Sequence, residues 1–328
     1  LGLGAVNWIK PGLGVNLPKD AANAVTANKI TLMGTLEHTF PTSIIDAMAK
    51  GEVLQIVIFA FIFGTACAAI GAKAKPVVNF CESLSDVMFE YTKYIMYAAP
   101  LGVGAAMAVT IGSKGIGVLF NLGQLILTLF GSLVIFVVFV LGAVVVIFKI
   151  PLRRFFQAVK DPYILAFSTA SSEAAFPQAL ENMERFGVPK HIVSFVLPLG
   201  YSFNLDGTTL YLSLASVFVA QAAGVEMSIW QQLVMMLTLM LTSKGVAAVP
   251  RASMVVLSGT LASFNLPLEG VALLLGVDTI MDMARTSVNL LGNCLATAVV
   301  ARWEGYELPV GDLEPKVEKI EEASAVVA

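Results

Sequence analysis

The sequence predicts an all-α, polytopic membrane protein, on three observations. Hydrophobic residues make up 57% of the 328 positions and charged residues 13%, about half the charge a soluble domain carries. Mean hydropathy is +0.81. Long apolar runs recur near 52–72, 94–112, 115–148, 192–224, 230–243, 252–277 and 286–301, several of them long enough to cross a bilayer as helices. The lipid bilayer is therefore the first expected partner. Net charge is −3 and no basic stripe exists, so no nucleic-acid role is read.

Taken in order, residues 1–39 read as the end of a transmembrane helix and an extracellular loop. The chain starts Leu1-Gly-Leu-Gly inside an apolar pattern, so N-terminal helices are expected to be missing, and no signal peptide is inferred. Residues 40–112 hold the next helices. Residues 115–148 carry no charge. As one helix they would run roughly 50 Å against a hydrocarbon core of roughly 30 Å, so tilt or projection is expected. Lys73, Lys75, Lys149, Arg153, Arg154, Lys160, Arg185, Lys190 and Arg302 flank the apolar runs, and the positive-inside bias puts them on the cytoplasmic side.

Residues 155–186 then lie between two basic clusters on one side, which a single span cannot join. A re-entrant hairpin fits, with its tip at Ser168-Thr-Ala-Ser171-Ser172-Glu173. A helix over 190–224 follows. Its mid-membrane Asn204-Leu-Asp206-Gly207-Thr208-Thr209 suggests an unwound stretch whose freed carbonyls face a cation. Residues 230–264 are broken at Thr242-Ser243-Lys244-Gly245 and Val249-Pro250-Arg251-Ala252-Ser253, where proline and charge make a poor lipid-facing helix. They read as a second hairpin, entered from outside, with Lys244 at its rim. Paired interrupted segments point to a transporter site built from inverted repeats. The last helix is expected at 267–302, and 304–328 reads as a solvated cytoplasmic tail.

That last helix carries the chemistry. Asp282, Arg285, Thr286, Asn289 and Asn293 are spaced by three, four and seven residues and share one helix face. Charge at membrane depth is costly and marks a substrate or ion pathway. Arg285 suits a carboxylate and Asp282 an amine. Cys67, Cys81 and Cys294 are isolated and read as buried small hydrophobes, and His38 and His191 stand far apart, so no metal site is assigned.

Four motifs in order resemble the dicarboxylate/amino acid:cation symporters, the glutamate transporter family. They are Ser171-Ser172-Glu173-Ala-Ala-Phe-Pro177, Asn204-Leu-Asp206-Gly207-Thr208, Ala248-Val249-Pro250, and Asp282…Arg285-Thr286…Asn289. The resemblance runs from about residue 1 to 305. It implies a homotrimer in a bacterial cytoplasmic (inner) membrane, with 40–112 as scaffold and 113–303 as an elevator-like transport domain. The missing start would be the first three transmembrane helices.

The resemblance also implies roles. Asp282 would take a substrate ammonium and Arg285 a side-chain carboxylate, with Thr208 beside it. Thr286 and Asn289 would bond the amine and α-carboxylate, and Ser171, Ser172 and the Ala248–Pro250 tip would hold the α-carboxylate. Asp278 is read as structural. Glu173 replaces a serine of sodium-dependent relatives and is the one obvious proton carrier, expected to be partly buried. Asn293 stands where those relatives carry an aspartate sodium ligand, so Asn204, Asp206 and Asn293 read as remnants of a cation site. Arg251, at the outer gate, would supply a cation that relatives carry where this chain has Ala170 or Met283.

The expected function is proton-coupled uptake of L-glutamate or L-aspartate, without a cofactor. Alternatives are a sodium-coupled acidic amino acid or C4-dicarboxylate symporter and, from another class, an ion channel. No enzyme is read, since no triad or GxSxG elbow occurs. For Arg285 an internal ion pair with Asp278 or Asp282 remains open. So does plain interhelical bonding for Thr208 and Asn289, and a structural role for Glu173.

Overall fold

The structure, a computed structural model, describes residues 1–15, 43–50, 53–96, 115–243 and 252–313, with a few positions between 101 and 112. Every regular element among them is helical. In chain order these are α1 (Gly2–Ile9), α2 (Ile44–Lys50), α3 (Val53–Ile70), α4 (Lys75–Met96) and α5 (Gly117–Ile147). Then come α6 (Leu152–Thr169), α7 (Ser172–Phe186), α8 (Lys190–Phe203), α9 (Asp206–Ala222), α10 (Ile229–Thr242), α11 (Ala252–Ser263), α12 (Glu269–Leu275) and α13 (Asp278–Trp303).

α5 is the long charge-free helix expected. Its 31 residues run roughly 46 Å, and a π-helical stretch at Phe136–Leu141 interrupts its regular turns. Phe136 and Val137 touch both apolar cores of the molecule. One core is built around α5, α9 and α10–α13, the other around α5–α8 and the second half of α13. α1 joins the first through buried Val6, packing on α9 and α5, and Asn7 Nδ2 donates to Gln232 Oε1 of α10 at 2.6 Å.

α6 and α7 form a helical hairpin, starting at 152 rather than 155. Ala170 turns the chain with left-handed backbone (φ 50°), a conformation costing a β-carbon residue roughly 1–2 kcal/mol. Ser171 then caps α7, its Oγ accepting from Ala174 N at 3.3 Å. Inside α6, Pro162 has no N–H for the Ala158 carbonyl one turn back. Buried Asn182 of α7 donates its Nδ2 to that oxygen at 2.8 Å, so the proline that weakens one arm fastens it to the other.

The single helix expected over 190–224 is two, α8 and α9, parted at Asn204–Leu205; the predicted unwound stretch is present but short. α10 begins with a reciprocal Ser228–Gln231 capping box. The second tip, with Lys244, Ala248, Val249, Pro250 and Arg251, lies outside the described residues, as does His38. The last helix is also divided, contrary to expectation. Gly276, a poor helix former, parts α12 from α13, and Asp278 opens α13 where the positive end of the helix dipole favours a carboxylate.

Two further expectations need correction. Cys294 is buried, but Cys67 is half-buried and Cys81 is exposed. The reason is that, among the described residues, little lies over α3 and α4: of the most apolar 18 residues within Ile58–Leu84 only 6% is buried. The tail after α13 is not wholly solvated either. Residues 306–313 form a strap across the base of the α6–α7 hairpin. Leu308 is buried, Leu313 packs on the second core, and Tyr306 meets His191 edge-on. Asp312 pairs with Arg153 at 2.9 Å and accepts from Gln157 Nε2 at 2.9 Å. A Glu/Lys-rich composition concealed the apolar and carbonyl contacts of its first residues. The contacts of Arg154 with Arg185 and Asp312, and of Arg302 with Lys149, gather these four basic residues at one end of the bundle.

Candidate functional site

α13 passes through both cores, and its polar residues sit where the two meet. Val288 belongs to the first core and Leu290 to the second, with Asn289 between them. Arg285 is 2% exposed and lies between two carboxylates. Its Nε donates to Asp282 Oδ1 at 2.8 Å and its Nη1 to Asp278 Oδ1 at 2.9 Å. Its guanidinium carbon stands 4.1 Å from the centre of the Tyr211 ring, a cation–π contact that helps hold a buried cation. Thr286 Oγ1 donates to Asp282 Oδ1 at 3.1 Å. The internal ion pair left open by the sequence is thus present, and with both acids.

Asp278 is fully buried, and its Oδ2 finds no hydrogen-bond partner among the described residues. Asp282 keeps 16% of its side chain exposed. One acid is sealed and the other opens toward solvent.

Asn289 binds α13 to the start of α9. Its Oδ1 accepts from Gly207 N at 2.8 Å and Thr208 N at 3.3 Å, and its Nδ2 donates to Thr208 Oγ1 at 2.8 Å. The first N–H groups of a helix have no partner within it; here an amide from a neighbouring helix satisfies two. Gly207 permits the approach, since a β-carbon there would lie 2.5 Å from the Arg285 carbonyl oxygen. Interhelical bonding, the other reading for Thr208 and Asn289, is therefore realised.

Asn204, Asp206 and Asn293 also come together. Asn204 Nδ2 donates to Asn293 Oδ1 at 3.0 Å, and the Asp206 carboxylate lies over Gly292, where a side chain would collide with it. One carboxylate and two amides, one amide oxygen already engaged, make a weaker donor set for a bare cation than two carboxylates would. No group of three or more His, Cys, Asp and Glu side chains occurs among the described residues.

Ser171 and Ser172 are half-buried at the first hairpin's tip, on arms that pack against α13. Glu173 is exposed rather than partly buried: α7 turns Ala175 and Ala179 into the core, leaving Glu173 on the opposite side. The sequence reading missed Tyr211. Its spacing of three from Thr208 puts both on one face of α9, a signal that was available.

A bundle of apolar helices that seals opposite charges at its centre has the architecture of a membrane carrier for a charged solute. Comparison with known proteins narrows that class. Residues 1–303 match the model of the sodium:dicarboxylate symporter family. A proton/sodium-glutamate symport protein of Geobacillus stearothermophilus is 44% identical over 313 residues, covering 93% of this chain and 74% of its own. A proton/glutamate-aspartate symporter of Escherichia coli strain K12 is 44% identical over 315 residues, covering 93% and 72%. A C4-dicarboxylate transport protein of Bacillus subtilis strain 168 is 42% identical over 311 residues, covering 93% and 74%. The chain belongs to the sodium:dicarboxylate symporter family and is a secondary transporter; nothing in these likenesses supports a channel.

Proposed function

We propose that the protein is a proton-coupled importer of L-glutamate or L-aspartate in a bacterial cytoplasmic membrane. The observation that carries this reading is the Asp282–Arg285 pair, buried and yet open on the Asp282 side. An acidic amino acid brings an ammonium for Asp282 and a carboxylate for Arg285, so its entry exchanges one ion pair for two. Guanidinium and carboxylate match as parallel hydrogen-bonding pairs. A C4-dicarboxylate has no amine, which would leave Asp282 facing an anion. Thr286 would exchange its bond to Asp282, and Asn289 and Thr208 their bond to each other, for bonds to substrate, with Ser171, Ser172 and the Ala248–Pro250 tip completing the cradle.

Glu173 is the proposed proton carrier. It is exposed at the first hairpin's tip, so it can meet water in the absence of substrate. Asn293 in place of a carboxylate favours protons over sodium. A second reading is sodium-coupled or C4-dicarboxylate transport; the C4-dicarboxylate relative is the observation favouring it. In the proposed architecture the two hairpins are re-entrant, and α5–α13 with α1 move as an elevator body against a scaffold at 40–112. Its uncovered apolar faces suit lipid and two further copies of the chain.

The test is uptake of labelled glutamate, aspartate and succinate into proteoliposomes holding the full-length gene product, with sodium and pH gradients imposed separately. Uptake of the amino acids under an inward proton gradient is expected, and Glu173→Gln should exchange substrate yet lose pH-driven accumulation. Accumulation driven by sodium alone, or succinate as the preferred solute, would count against the reading.

A further inference from the structure

α5 and α13 end side by side, and their ends bring two cations, two aromatic rings and bare apolar surface together. Arg302 Nη2 donates to the Lys149 carbonyl at 3.1 Å. Phe148 meets Trp303 edge-on, with ring centroids 5.6 Å apart and planes at 74°. Trp303 is 72% exposed, and Val146 and Ile147, the last two residues of α5, are exposed as well. Neither cation is neutralised by the protein. Among the described residues neither the Lys149 ammonium nor the Arg302 guanidinium pairs with an acid, Glu304 included. Arg302 Nε is sealed from water and has no acceptor, so the Lys149 carbonyl is the one partner its guanidinium has there.

Lys149 closes α5 with left-handed backbone (φ 50°), while Ile150 N reaches back to the Val145 carbonyl at 3.0 Å. Glycine is the residue that fits such a helix end without strain. A lysine here keeps the strain and adds an ammonium that takes no partner within the protein. Strain of this kind collects at ligand clamps.

We propose that Lys149 and Arg302 bind the phosphate of an anionic phospholipid, with Trp303 at the rim and the acyl chains on the adjoining Val146 and Ile147 surface. A guanidinium pinned by the Lys149 carbonyl presents its remaining Nη hydrogens in a fixed fork that fits phosphate oxygens. Tryptophan settles at the boundary between headgroups and acyl chains. Apolar surface beside the cations suits a phospholipid and offers nothing to free phosphate. Arg153 and Arg154, nearby in sequence, are engaged with Asp312 and with helix-end carbonyls. The proposed architecture puts this end of the bundle at the cytoplasmic leaflet, whose anionic lipids attract basic residues.

The experiment uses the full-length gene product with every tryptophan except Trp303 replaced by phenylalanine, in nanodiscs of phosphatidylcholine and phosphatidylglycerol. Trp8 and Trp230 are exposed, so their replacement empties no core. Quenching of Trp303 by phosphatidylglycerol with brominated acyl chains reads the lipid beside it. Phosphatidylglycerol should be enriched there over its share of the nanodisc. Lys149→Gly and Arg302→Gln should each lower that enrichment about fivefold. Glutamine keeps a donor for the Lys149 carbonyl, so Arg302→Gln leaves the end of α5 closed. Lys149→Gly relieves left-handed backbone and should raise the melting temperature while weakening the lipid, whereas a merely structural residue would leave the lipid unmoved. Inorganic phosphate should displace the lipid no better than chloride at equal ionic strength. No enrichment in the parent, or enrichment unchanged in both variants, overturns the inference. Displacement by millimolar inorganic phosphate makes this a site for the free anion and overturns the lipid.

Discussion

Asp278 and Asp282 hold the same guanidinium but differ in access to water: one is fully buried, the other 16% exposed. A buried charge that loses its partner cannot be rescued by solvent, and breaking such a pair costs about 3–5 kcal/mol. Asp278→Ala should therefore lower thermal stability in detergent far more than Asp282→Ala, whereas Asp282→Ala should take the larger share of lost substrate binding. Equal melting shifts for the two variants would contradict this division. The positions of these acids and Arg285 were legible because three- and four-residue spacing identifies a shared helix face. Spacing within one helix does not say which helix it faces, so the Tyr211 ring and the Gly207–Arg285 approach needed the fold. Nor does spacing measure exposure, which is why Glu173 proved more open than expected.

Among elements, the hairpin of α6 and α7 depends on contacts at its base that its sequence conceals. Adjacent arginines there do different work. Arg153 pairs with Asp312 while 79% exposed, and such pairs contribute roughly 0–1 kcal/mol. Arg154 donates to the Phe186, Arg185 and Asp312 carbonyls at 3.1, 3.0 and 2.8 Å, closing the end of α7 where helix carbonyls lack partners. Arg154→Ala should cost about 1.5–3 kcal/mol and speed amide exchange in the last turn of α7, while Arg153→Ala should change little. Comparable exchange in the two variants would remove the cap assignment. Helix extents were legible from apolar runs, but the breaks at Asn204–Leu205 and Gly276–Val277 were not fully so. Each lies within a run that still averages apolar, and neither carries a proline.

At the scale of the whole molecule, a polar layer lies between two apolar cores, while α3 meets the bundle at α10 and, among the described residues, α3 and α4 keep their apolar surface bare. Apolar patches of that extent are seldom left open to water. If further copies of the chain cover part of this face, native mass measurement in lipid nanodiscs should return three chains per particle; a single-chain mass would leave the face to lipid alone. The apolar character expected of a membrane transporter was legible from composition, because too few charges exist to clothe a soluble surface. Assembly was not, because lipid and a neighbouring protein select similar side chains. The strap at 306–313 also bears on biogenesis. It leaves the ribosome after every residue it grips, so the base of the first hairpin is completed only once the final helix has been delivered to the translocon. Until then α6 and α7 lack the strap's contacts at their base, and a nascent chain arrested before Leu308 should expose that base to added protease.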